Sequence, residues 1–154
     1  METSASNKLL QRLNGLKFIT SRYLDIYEVI SINSKNISLK RIFIKLYTNK
    51  LNFIESLEKL KQNIVSEYAT ECSSESAIPN EYLTMMPEIG YTSVIKNCYQ
   101  IENAIYESCK SVMEHTDNTS FKNSIDNFLR VHKNILKDLK PINLDCVEYN
   151  NQTI

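Results

Sequence analysis

The sequence predicts an all-α fold of four long helices, and three observations lead to it. The chain has 154 residues but only two glycines and three prolines, too few for folds that depend on tight turns, bulges or glycine loops around phosphates. Four long stretches carry apolar residues at steps of three and four, the spacing of one helix face. Most of the helix breakers fall between the second and third stretches, so two connections are short and one is long. A chain of this length can form one domain with its own core. Its 42% hydrophobic and 23% charged residues are ordinary for a globular protein.

The first helix is expected over about 7–31, with Leu9, Leu13, Leu16, Tyr23, Tyr27 and Ile30 on its stripe. The polar cluster Asn33-Ser34-Lys35-Asn36 supplies turn and capping chemistry in few residues, so the next helix must return beside the first. That helix is expected over 36–68, marked by Leu39, Ile42, Phe43, Leu46, Phe53, Leu57, Leu60 and Ile64. From 69 to 90 the pattern fails: Cys72-Ser73-Ser74-Glu75-Ser76 is turn-like, and Pro79, Pro87 and Gly90 follow. A short helix around Asn80 to Met86 is an open alternative inside this segment. The third helix is expected over 91–115 through Ile95, Cys98, Ile105, Cys109 and Val112. After Thr116-Asp117-Asn118-Thr119 the fourth covers 120–140 through Phe121, Ile125, Phe128, Ile135 and Leu139, and Pro141 stops it. The residues from 141 to 154 read as a loose end or a dimer-contact arm.

Connection lengths set the topology. A segment of about 20 residues can span about 60 Å, whereas a 25-residue helix is about 38 Å long, so the middle connection can cross the whole bundle. Short, long, short then gives two antiparallel pairs joined by one crossover over residues 7–140, the connectivity of ferritin-like four-helix bundles.

Eighteen basic and eighteen acidic residues balance to zero net charge, so no global field favours nucleic acid or an anionic membrane, and neither is expected as a partner. The N-terminal residues lack the apolar core of a signal peptide, and the chain is read as cytoplasmic. The glycosylation-like patterns at Asn36, Asn118 and Asn151 carry no meaning in that compartment. Cys72, Cys98, Cys109 and Cys146 show no paired spacing and no histidine placed for zinc. Cys98 and Cys109 would stand about 16 Å apart on one helix, beyond disulfide reach. All four are read as free structural thiols.

Function in a helical bundle is sought where ionisable residues occupy core-facing positions, because each costs several kcal/mol unless paired or ligated. Lys50 lies four after Leu46 and three before Phe53; Glu102 lies four after Cys98 and three before Ile105; His132 lies four after Phe128 and three before Ile135. Tyr23 and Tyr27 hold the matching stripe on the first helix. With a rise of about 1.5 Å per residue, Tyr23, Lys50 and Glu102 fall at about 15, 20 and 16 Å from one end, with His132 level with Glu102. One buried polar layer of Tyr23, Tyr27, Lys50, Glu102 and His132 is therefore expected, with Lys50 and Glu102 as an ion pair.

A di-iron centre of the ferritin type needs Glu-x-x-His pairs on two helices. Here Leu129 stands three before His132, and Glu55 and Glu58 have no histidine partner. Lys50 also puts a cation where a metal would sit. No cofactor is expected; the alternative is a lone iron, manganese or zinc ion on Glu102 and His132. Met85-Met86 reads as crossover packing, and His115 as a favourable charge at a helix end.

At these residues the chain resembles a bacterial ferritin-like family described only as domain of unknown function 2383. The likeness rests on Leu13-Asn14 and Tyr27, on the step Lys50-Leu51-Asn52-Phe53, and on Glu102 and His132, across about 9–140. Members usually have an arginine at the position of Lys50 and an acid at that of Arg22. The resemblance implies the bundle and brings no established activity. The expected role is non-catalytic, stress-related or in protein interaction, as a homodimer or with an unidentified protein partner. The competing expectation is a metal-binding iron- or manganese-handling protein or oxidoreductase using Glu102 and His132.

Overall fold

In the computed structural model, residues 2–67, 78–142 and 144 are described. Every regular element among them is a helix. They are α1 (Glu2–Ser21), α2 (Leu24–Asn33), α3 (Ile37–Glu67), α4 (Asn80–Met85), α5 (Tyr91–Lys96), α6 (Cys98–His115) and α7 (Thr119–Leu139). Among the described residues, no helix is long and apolar enough to cross a membrane.

The short connections close by side-chain capping. Asn36 Oδ1 accepts from Leu39 N at 2.9 Å at the start of α3, and Asn118 Oδ1 accepts from Phe121 N at 2.9 Å at the start of α7. Apolar stripes from the helices meet in one core that includes Leu13, Leu16, Leu46, Leu57, Phe121 and Ile125, each at most 1% exposed. Each such side chain contributes about 1.5–3 kcal/mol by leaving water.

Contacts fix the helix directions. Lys17 pairs with Glu58, and Tyr47 donates to Glu28, so numbers fall along α3 as they rise through α1 and α2. Arg12 Nη1 donates to His115 O at 2.7 Å and Tyr27 meets Glu102, which sets α1 and α2 antiparallel to α6. α3 and α6 therefore run parallel, and α7 returns beside both.

Two expected helices are each split. The one expected over 7–31 begins at Glu2 and breaks at Arg22 and Tyr23. Thr20 Oγ1 donates to Leu16 O at 2.6 Å and Ser21 Oγ to Phe18 O at 3.3 Å, in competition with the helix's own N–H groups. The crossover completes the break, because Arg22 Nε donates to Met86 O (3.1 Å) and Tyr23 Oη to Pro87 O (2.6 Å). The second split lies at Asn97, whose amide donates to Ser93 O at 2.8 Å. Of the expected crossover, the described part contains α4, and the beginning, with Cys72, lies outside the described residues. Of the expected loose tail, Ile142 packs against the core and Leu144 is buried. Cys146 and the rest lie outside the described residues.

Gly15 lets α4 dock on α1. A Cβ there would overlap the ring of buried Tyr82. Gly15→Ala is therefore expected to lower stability by about 1–2 kcal/mol through overpacking. In a Tyr82→Ala background the same change should stabilise, by about 0.5–1 kcal/mol of helix propensity. Urea unfolding of the four proteins checks this reversal of sign.

A buried ion pair as candidate functional site

The stripe positions of α2, α3, α6 and α7 bring Tyr27, Lys50, Glu102 and His132 together inside the core. Lys50 is 2% exposed, and Glu102 and His132 are 0% exposed. Lys50 Nζ lies 2.9 Å from Glu102 Oε1. Tyr27 Oη donates to Glu102 Oε2, and the Lys50 ammonium sits 5.3 Å from the Tyr27 ring centroid. The carboxylate thus has a cation on one oxygen and a hydroxyl on the other. Such pairing offsets a desolvation cost of several kcal/mol per ion.

His132 Nε2 lies 3.1 Å from the backbone oxygen of Glu102 and 3.5 Å from Oε1. A carbonyl can only accept, so Nε2 carries the hydrogen and Nδ1 of the neutral ring is bare. Among the described residues Nδ1 has no hydrogen-bond partner. Glu102 Oε1 has none of ordinary geometry either, so its 2.9 Å contact with Lys50 acts through charge rather than direction. The imidazole stacks between Phe128, at 4.9 Å, and Tyr106, at 6.4 Å.

Burial dominates the ionisation of the layer. It lowers the His132 pKa, and Lys50 adds to that shift while Glu102 opposes it, so the ring is neutral near pH 7. Burial, with the nearby negative charge of Glu102, holds the Tyr27 hydroxyl well above the ordinary phenol range. Cys98 Sγ lies 3.8 Å from Tyr27 Oη; burial and Glu102 push its thiol up, and burial takes Cys109 to about 12. Neither thiol is a nucleophile at neutral pH.

Tyr23 does not join the layer. It is buried, but the break after Ser21 turns its hydroxyl to Pro87 O, and a height reckoned along one continuous helix missed this. One further residue, Cys98, borders the layer through Tyr27. Cys98 precedes Glu102 by one turn on the same stripe, a signal present in the sequence. Asn49 is buried beside Lys50 and donates to Phe128 O at 3.2 Å, a contact that depends on how α7 packs. Arg22 turns away from the layer, with its guanidinium over the Phe18 ring at 5.7 Å.

The residues present do not fit a resident iron, manganese or zinc ion. Among the described residues no three of His, Cys, Asp and Glu are grouped to hold a metal, and the Lys50 ammonium occupies the cation's place beside Glu102. Comparison with family models, curated proteins and solved structures finds no match for this chain.

Proposed function

We propose that this protein is a non-catalytic helical bundle of the ferritin-like type, with a permanent internal ion pair in place of a di-metal centre, and that it acts by protein–protein contact. One observation carries the reading: Lys50 and Glu102 meet at 2.9 Å with side chains 3% and 0% exposed. A buried lysine against the carboxylate repels a divalent cation, and the full burial of the layer leaves no path for a substrate. The antiparallel setting of α1 and α2 on α3, with α6 parallel to α3 and antiparallel to α7, supports the one-crossover bundle. Kinship with the domain-of-unknown-function 2383 family is part of the same proposal, on Tyr27, Lys50, Glu102 and His132.

Metal analysis of protein purified without chelator tests it. The expected content is well below one ion per chain, unchanged in Glu102→Ala and His132→Ala. Near-stoichiometric iron, manganese or zinc that both substitutions remove would establish the metal-binding alternative instead.

A further inference from the structure

α3 and α7 leave an open cleft of about 220 Å³ between them. Asn49, Asn52 and Ser56 line it from α3, and Ser124, Asn127 and Val131 from α7, each set at steps of three and four along its helix. Phe53 and Phe128, stacked at 4.3 Å between ring centroids and 3% and 2% exposed, form the floor. Long charged side chains normally cover the flanks of such a helix pair with their stems. Although 23% of the chain is charged, the lining of this cleft holds no ionisable group.

The lining groups have fixed hydrogen-bonding roles. On the α3 side Asn49, 9% exposed, donates through Nδ2 to Phe128 O at 3.2 Å, and Ser56 Oγ donates its single proton to Asn52 O at 3.1 Å, so Ser56 can only accept. On the α7 side Asn127 Oδ1 accepts from Arg130 Nη2, and Arg130 Nε lies 3.4 Å from Asp126 Oδ2. The guanidinium thereby orients the Asn127 amide, whose two N–H bonds are what it offers as donors. A ligand between the two helices must therefore donate to one side and accept from the other. An anion only accepts and an ammonium only donates, and neither meets an opposite charge in the lining. A hydroxyl does both at one atom. Val131, 48% exposed, adds an apolar wall.

We infer that this cleft binds a neutral saccharide, whose hydroxyls accept from Asn127 and donate to Ser56 while a C–H face of the ring lies against Val131. Arg130 and Asp126 are positioning residues that act through Asn127. The inference goes beyond the reading of protein contact and does not depend on it, because neither Lys50 nor Glu102 lines the cleft.

Titration of the isotope-labelled chain with D-glucose, D-galactose and maltose, followed by the resonances of the Asn52 and Asn127 side-chain amides, tests the site. Saturable shifts are expected for at least one sugar with a dissociation constant of about 1–10 mM, as suits a small ligand in an open cleft. Asn127→Asp keeps the size of the side chain and its contact with Arg130 but removes both donors. It should raise the dissociation constant about tenfold with the urea midpoint unchanged. Arg130→Ala should raise it about threefold and should also move the Asn127 amide resonances of the free protein, which loss of an unconnected surface charge would not do. No saturable shift with any of the three sugars up to about 100 mM, equal affinity in Asn127→Asp, or shifts confined to residues outside the cleft would overturn the proposal. So would tighter binding of acetamide or acetate than of every sugar, because the cleft would then select an amide or an anion.

Discussion

Lys50→Met should lower the unfolding free energy by about 3–5 kcal/mol, among the largest effects of any single substitution in this protein. Methionine nearly preserves the volume of the lysine stem, so the loss does not come from a cavity. It comes from Glu102, which stays fully buried while its Oε1 loses the ammonium 2.9 Å away. The Tyr27 hydroxyl remains on Oε2, but one neutral donor does not replace a charge. For a chain of this size the loss corresponds to a fall in Tm of roughly 6–20 °C.

The destabilisation has a signature that separates stranded charge from altered packing. It should shrink when Glu102→Gln is added, since the amide oxygen still accepts from Tyr27 and no charge is left to bury. Alone, Glu102→Gln strands the Lys50 ammonium, so each single variant is worse than the sum over the pair implies. Urea unfolding of the four proteins of this cycle measures the coupling. An unchanged urea midpoint for Lys50→Met would sink the ion-pair account.

The pair was legible in the sequence because burial leaves a local trace. Lys50, Glu102 and His132 each interrupt an apolar stripe at a step of three or four, and a straight helix carries that position inward whatever surrounds it. The long reach of lysine then tolerates an error of about a turn in register. The capping residues Asn36 and Asn118 were equally local and lie at helix starts. The breaks at Tyr23 and Asn97 were not legible in this way. Tyr23 follows a continuous apolar period, and its turn depends on the carbonyl oxygens of Met86 and Pro87, more than sixty residues further along the chain. The packing of α4 on Gly15 is hidden for the same reason, since a glycine inside a helix does not say which ring will fill the space above it.

His132 should set the acid side of the stability profile. Its folded pKa lies below the ordinary histidine value of 6.5, chiefly because burial opposes the charged ring. The unfolded chain therefore binds more protons than the native one just below pH 6.5, and stability rises with pH through that window. As pH falls from about 6.5 toward the lowered folded pKa, His132 should remove up to about 1.4 kcal/mol per pH unit. Above that window its contribution is level. Other parts of the chain also respond to pH, so the measurement is a difference. His132→Gln can still donate an N–H toward the Glu102 carbonyl but does not ionise, and its urea midpoint should fall less steeply between pH 7 and pH 5 than that of the unsubstituted chain. Parallel profiles would mean that the ring becomes charged inside the fold with little penalty. Glu102 would then be holding two cations, Lys50 at 2.9 Å and His132 at 3.5 Å. A divergence that grows as pH falls means that the core admits one positive charge and excludes the second.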